Sequence, residues 1–230
     1  MKSKIFNRVI KVFLIIVVLS FSNLAQSEAE KQGQEIYEKY LAAIGGKENL
    51  AKIRTIEIIS ESEAVYGRRK EILIEDKVNN KRYQSLDGDR SKVEIGFDGK
   101  RSWMKQGGRA NYTEIRSDND PIKYVKLPNE KIDGREYLVV EEVRKEKRSN
   151  AKTYYDPQTF FLLLRESKAG FGGNTFRITV AWADYRKIGD IYVPFLEVTT
   201  NEMTGKITKK ILSVKHNIEV DPKIFELKEK

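Results

Sequence analysis

The chain contains no cysteine. That absence excludes a disulfide framework, a thiolate metal site and a lipid-modified N-terminal cysteine together. Histidine occurs once, at position 216, so the usual nucleophile–histidine arrangements have almost nothing to be built from, and a histidine metal site has no companions. Only five prolines are present and no low-complexity linker divides the chain. Long apolar runs are also missing: Val12 to Phe21 is apolar at every position but Ser20, which makes about ten residues where a spanning helix needs about twenty. Stability must come from an ordinary core, for which some two hundred residues are ample.

That short apolar run follows Lys2, Lys4, Arg8 and Lys11 and precedes the small residues Ala25 and Ser27. The order is that of a secretory leader, with cleavage expected after Ser27 and a mature chain starting at Glu28. The expected organisation is a signal peptide over 1–27 and a single domain over 28–230. The formal charge is +9, and removing the leader's four cations leaves +5. A mildly basic exported protein favours anionic head groups or acidic partners, and export makes nucleic acid an unsuitable one.

Ile36, Tyr37, Tyr40, Leu41 and Ile44 share one face of a helix that ends at Gly45 and Gly46, and a further turn spans Lys47 to Lys52. From Ile53 the period changes to two. Ile56, Ile58, Ser60, Ser62 and Ala64 alternate with Glu57, Glu61 and Glu63. Tyr66, Gly67 and Arg68 are read as the hairpin turn, after which Ile72 and Ile74 alternate with Leu73 and Glu75. Val93, Ile95 and Phe97 precede a turn at Asp98, Gly99 and Lys100, and Trp103 is the large residue of the next strand. Further turns at Asp133-Gly134, Asp156-Pro157, the glycines around Phe171, Gly189-Asp190 and Gly205 space out the second half. Its clearest alternation is Phe176, Ile178, Val180 and Trp182 against Arg177 and Thr179.

About ten strands and one substantial helix result. A sheet so wide curls because its strands twist. The fold class is therefore mainly β with one or two α-helices: a strongly curved antiparallel sheet or open half barrel, with the N-terminal helix in its concave face.

Four segments carry a family resemblance: YLAAIGGKENLAKI (Tyr40 to Ile53), FDGKRSW (Phe97 to Trp103), TYYDPQTFFLLLRE (Thr153 to Glu166) and DYRKIGDIYVPFLEV (Asp184 to Val198). In that order, with the closing DPKIFEL, they resemble the outer-membrane lipoprotein-sorting proteins over nearly the whole mature chain. The resemblance implies a periplasmic half barrel of the lipoprotein-localisation type that accepts acyl chains of lipoproteins or lipids, and no catalysis or cofactor. One departure stands out. The carriers of that family have lid helices near mid-chain, whereas Glu114 to Lys131 is short, polar and carries Pro121 and Pro128.

Twelve residues are the expected lining of an apolar ligand pocket: Ile56, Ile58, Ile72, Ile74, Val93, Ile95, Phe97, Trp103, Phe176, Ile178, Val180 and Trp182. One helix is too small to cover them all. Other candidates reduce to structure. Glu141 and Glu142 are adjacent on a strand and point to opposite faces. Gly170, Gly172 and Gly173 lead into a strand rather than a helix and so form a hairpin tip, not a phosphate loop. The run Arg144 to Arg148 reads as a solvated hairpin end. Function is accordingly read as a carrier or receptor for a lipid or lipidated protein. The alternative is an envelope sensor or adaptor that binds a partner protein through the same fold.

Overall fold

The computed structural model describes residues 27–227 apart from 90, 114–120, 145–149 and 172. The leader, most of the 114–131 stretch's first half and the greater part of the 144–148 basic run lie outside the described residues.

Helix α1 covers residues 27–43 and α2 covers Gly46–Ala51. The strands are β1 (Thr55–Ala64), β2 (Gly67–Asp76), β3 (Lys81–Gly88), β4 (Ser91–Phe97), β5 (Ser102–Gln106) and β6 (Arg109–Thr113), followed by β7 (Ile122–Ile132), β8 (Arg135–Arg144), β9 (Ala151–Tyr155), β10 (Leu162–Phe171), β11 (Asn174–Ile188), β12 (Ile191–Asn201) and β13 (Gly205–His216). A 3-10 turn over Pro222–Phe225 follows. Among the described residues thirteen strands replace the expected ten or so. The additions include β3, with the sequence KRYQSLDG, and β7, which carries Pro128; neither shows a dense apolar alternation.

All strands belong to one antiparallel sheet in the order β6-β5-β4-β3-β2-β1-β13-β12-β11-β10-β9-β8-β7. Two meanders are thus joined where the first strand pairs with the last, and β6 and β7, consecutive in the chain, sit at opposite edges. Laid flat, twelve inter-strand spacings would separate those edges by about 58 Å. The chain from Thr113 to Ile122 can reach at most about 30 Å. The sheet therefore has to curl into an open half barrel, which brings its two edges toward each other.

Register assigns the faces, since directly paired residues share one. The face of Ile56 and Ile58 also carries Val214 and Ile211 of β13, and Phe195 and Val193 of β12. Ile53, Ile56, Ile191, Phe195 and Val214 form its buried cluster, with Leu50 of α2 packed against it. Helix α1 lies on the same, inner face further along: Ile36 packs with Val140 and Tyr155, and the Tyr37 ring stacks on Tyr124 with centroids 4.1 Å apart.

The outer face is wet over its middle. Lys210, Glu61, Lys70, Asp87 and Lys92 stand opposite one another across five strands with alternating sign, an arrangement in which each cross-strand neighbour is attractive. Beside it the C-terminal segment packs down: Phe225 is buried, and the Trp103 indole donates to its carbonyl at 2.7 Å.

Candidate functional site

The inner face is divided by a polar belt at mid-height. The Trp182 indole donates to Glu197 Oε2 at 3.0 Å, Glu197 stands opposite Lys209, and Lys209 Nζ bonds Glu71 Oε2 at 2.8 Å. Glu71 also accepts from the Ser62 hydroxyl at 2.8 Å. The side chains of Glu71 and Lys209 are 12% and 26% exposed, so this is an ion pair drawn well out of water, satisfied by a hydrogen bond on its acidic side. On one side of the belt lies the cluster under α2. On the other, Ala64, Ile207, Val180, Ile178 and Phe176 run toward the hairpin tips. A cleft of about 240 Å³ opens there, with Ser62, Ala64, Tyr66, Gly67, Arg69 and Ile207 in its wall.

Toward β5 the inner face continues through Leu73, Leu86, Val93, Ile95 and Phe97, which the register places on the side of Ile58. These five are only half-buried and lie outside the buried cluster beneath α2. Met104, next on this face, is 41% exposed.

Of the twelve residues expected to line one pocket, nine share the inner face: Ile56, Ile58, Val93, Ile95, Phe97, Phe176, Ile178, Val180 and Trp182. They do not form one patch. Ile56 and Ile58 belong to the core below the belt, and Phe176, Ile178 and Val180 lie above it. Ile72, Ile74 and Trp103 are on the outer face, opposite Ile59, Glu57 and Gly96. This corrects the expectation, and turn length is the cause in both places. The β1–β2 loop is the two residues 65–66, with Ala64 facing Gly67, and the β4–β5 loop is the four residues 98–101. Each differs by one from the three-residue turn read from the sequence, and a slip of one exchanges the faces. Trp103 is only 4% exposed, sealed by the C-terminal segment.

Sequence reasoning missed Leu73, Leu86, Glu71, Lys209 and Glu197. For Leu73 and Glu71 the signal was present, since they alternate with Ile72 and Ile74; only the register was needed. The Lys209–Glu71 pair joins β13 to β2 across β1 and has no signature along the chain.

Other titrating groups serve the scaffold. Burial tends to raise the Asp156 carboxyl, but the backbone N–H of Thr159, the Arg135 guanidinium and the N–H of Gln158 outweigh it and bring the pKa to about 2. His216 ends β13 on the inner face, and burial, then Lys77, pushes its pKa down. Among the described residues no group of three or more histidines and carboxylates is placed to hold a metal ion.

No family model matches the chain, and no curated protein does. Solved structures do. A putative outer membrane lipoprotein-sorting protein domain from Vibrio parahaemolyticus is 15% identical with a TM-score of 0.59, over 85% of this chain and 97% of that one. A DUF1329 family protein from Desulfovibrio piger is 10% identical with a TM-score of 0.58, over 84% and 97%. A LolA superfamily protein from Nitrosomonas europaea is 15% identical with a TM-score of 0.50, over 85% and 97%. The chain has the open half-barrel fold of lipoprotein-sorting proteins.

Proposed function

We propose that this is an exported, periplasmic binding protein that holds the acyl chain of a lipid or lipidated protein against its inner face and performs no covalent chemistry. The observation that carries the reading is the half-buried apolar surface of Leu73, Leu86, Val93, Ile95 and Phe97 on the inner side of the sheet. Apolar side chains left partly in water on a concave face gain about 25 cal/mol per Å² when a ligand covers them. The leader-like N-terminus and the absence of cysteine fit a free, unlipidated carrier in that compartment. The likeness to a lipoprotein-sorting domain supports the same reading by fold, and fold by itself does not fix a ligand.

Protein purified gently from the cell envelope is expected to carry acyl lipid detectable by native mass spectrometry. Val93→Glu with Ile95→Glu should abolish that lipid, and Lys70→Glu on the outer face should retain it. Lipid-free preparations of a folded wild-type protein, or equal lipid in all three proteins, would sink the proposal.

A further inference from the structure

An open sheet has two edges, and each is a row of backbone groups ready to pair. The two edges of this one differ. At β7, the backbone lies so close to α1 that a Cβ on Gly33 would stand 2.4 Å from Tyr124 O, and the strand carries Pro128 within a break in register between Leu127 and Glu130. Helix, proline and bulge all obstruct a further strand.

Among the described residues, β6 has none of these devices. Its register to β5 is unbroken from Gln106↔Arg109 to Ser102↔Thr113, and Arg109 to Tyr112 are exposed. The connecting loop is Gly107-Gly108 with both residues at positive φ, the two-residue turn that closes on a hydrogen-bonded pair. Pairs alternate from there. Arg109 and Asn111 therefore direct their backbone groups to β5, and Ala110 and Tyr112 direct theirs outward.

Two cations flank this edge on its outer side: Arg101, 63% exposed and 3.9 Å from Asp98, and Lys105, 42% exposed and 3.5 Å from Glu94, long pairs that leave both cations open to a further carboxylate. The Arg101 guanidinium lies 4.0 Å from the Tyr112 ring centroid, on the outer side, and Lys105 stands opposite Ala110 on that side. On the inner side Met104, Gln106, Arg109 and Asn111 border an open depression of about 420 Å³.

We propose that the free edge of β6 is a docking site for an extended acidic segment of a partner protein, which adds to the sheet as a further antiparallel strand. Its backbone pairs with Ala110 and Tyr112, its carboxylates at alternate positions meet Arg101 and Lys105, and its intervening apolar side chains enter the depression beside Met104. The inference does not depend on what the inner face holds.

The test uses the whole mature protein and a fluorescein-labelled peptide of sequence TEVEVEVT. Saturable binding by fluorescence anisotropy is expected, at least tenfold weaker for the peptide with lysine in place of each glutamate. On binding, exchange of the Ala110 and Tyr112 amide protons slows. Ala110→Pro removes an outward N–H that β5 does not use, so it should leave the circular dichroism and melting temperature unchanged and weaken the peptide at least tenfold. Arg101→Glu with Lys105→Glu, which leaves the backbone intact, should do the same to the acidic peptide only. Absence of saturable binding to wild type, equal binding of the lysine peptide, or undiminished binding by the charge-reversed protein would overturn the proposal. So would a concentration-dependent dimer lost in Ala110→Pro, because the occupant would then be a second copy of this chain.

Discussion

Gly96 and Trp103 face each other across β4 and β5, and the indole occupies the space where a side chain of Gly96 would be: a Cβ there would lie 2.1 Å from Trp103 Cε2. The ring cannot retreat easily, being held by its hydrogen bond to the Phe225 carbonyl. Gly96→Ala is expected to cost about 1–3 kcal/mol, the usual range for overpacking a filled site. Urea denaturation measures the loss, and Trp103 emission should shift to the red as the C-terminal segment lifts. An Ala variant as stable as wild type would show that the indole is not fixed.

Asp156 gives the fold an acid limit. Its carboxyl has a pKa of about 2 in the folded protein against 3.8 for an ordinary aspartate. The folded state thus favours the carboxylate, and its contribution is complete above about pH 4 and lost as pH falls toward 2. The shift corresponds to about 2 kcal/mol. Asp156→Asn should remove roughly that much at pH 7 and flatten the acid limb of a stability–pH curve. An unchanged slope between pH 4 and 2 would count against it.

The Glu71–Lys209 pair separates a structural from a merely electrostatic role. Lys209→Leu leaves a shielded carboxylate without its cation and should destabilise by about 1–3 kcal/mol. Glu71→Leu combined with Lys209→Leu should recover most of that, because replacing a shielded pair by apolar groups is often neutral or better. Chemical denaturation of the two variants decides it. A double variant less stable than Lys209→Leu would mean that the remaining polar partners, not the pair, set the energetics.

At alkaline pH the tyrosines act. Burial, and after it the neighbouring Tyr37, raises the Tyr40 phenol to about 12; burial together with Glu130 raises Tyr154 to about 12 as well. For a phenol the folded state here favours the protonated form, so stability is full below about pH 10 and is lost as pH rises through 12. Phenolate absorbance should appear in two stages, the later coinciding with loss of near-ultraviolet circular dichroism. Complete ionisation near pH 10 with the fold intact would contradict this.

Much of the architecture is written locally. The change from helical spacing at Ile36–Ile44 to period two after Ile53, and the turn residues that follow, are properties of short segments, and the class of fold follows from them. The resemblance in the segments Tyr40–Ile53 and Asp184–Val198 pointed to the half barrel that the solved structures share. Strands without dense apolar alternation, such as β3 and β7, were not legible because their hydrogen-bonding partners, not their composition, hold them in the sheet.

The chain itself determined that its strands have an apolar and a polar side, since alternation is a matter of one strand's geometry. Which side faces inward was decided only by the tertiary structure. Loops of two and four residues set the pairings of β2 with β1 and of β5 with β4, and thereby put Leu73 inside and Ile72, Ile74 and Trp103 outside. The short chain between β6 and β7 likewise forces the sheet to curl, and the sheet order sets one edge against α1 and leaves Arg109 to Tyr112 of the other exposed. These are relations among segments distant in sequence, so residue spacing within any one of them carries no record of the outcome.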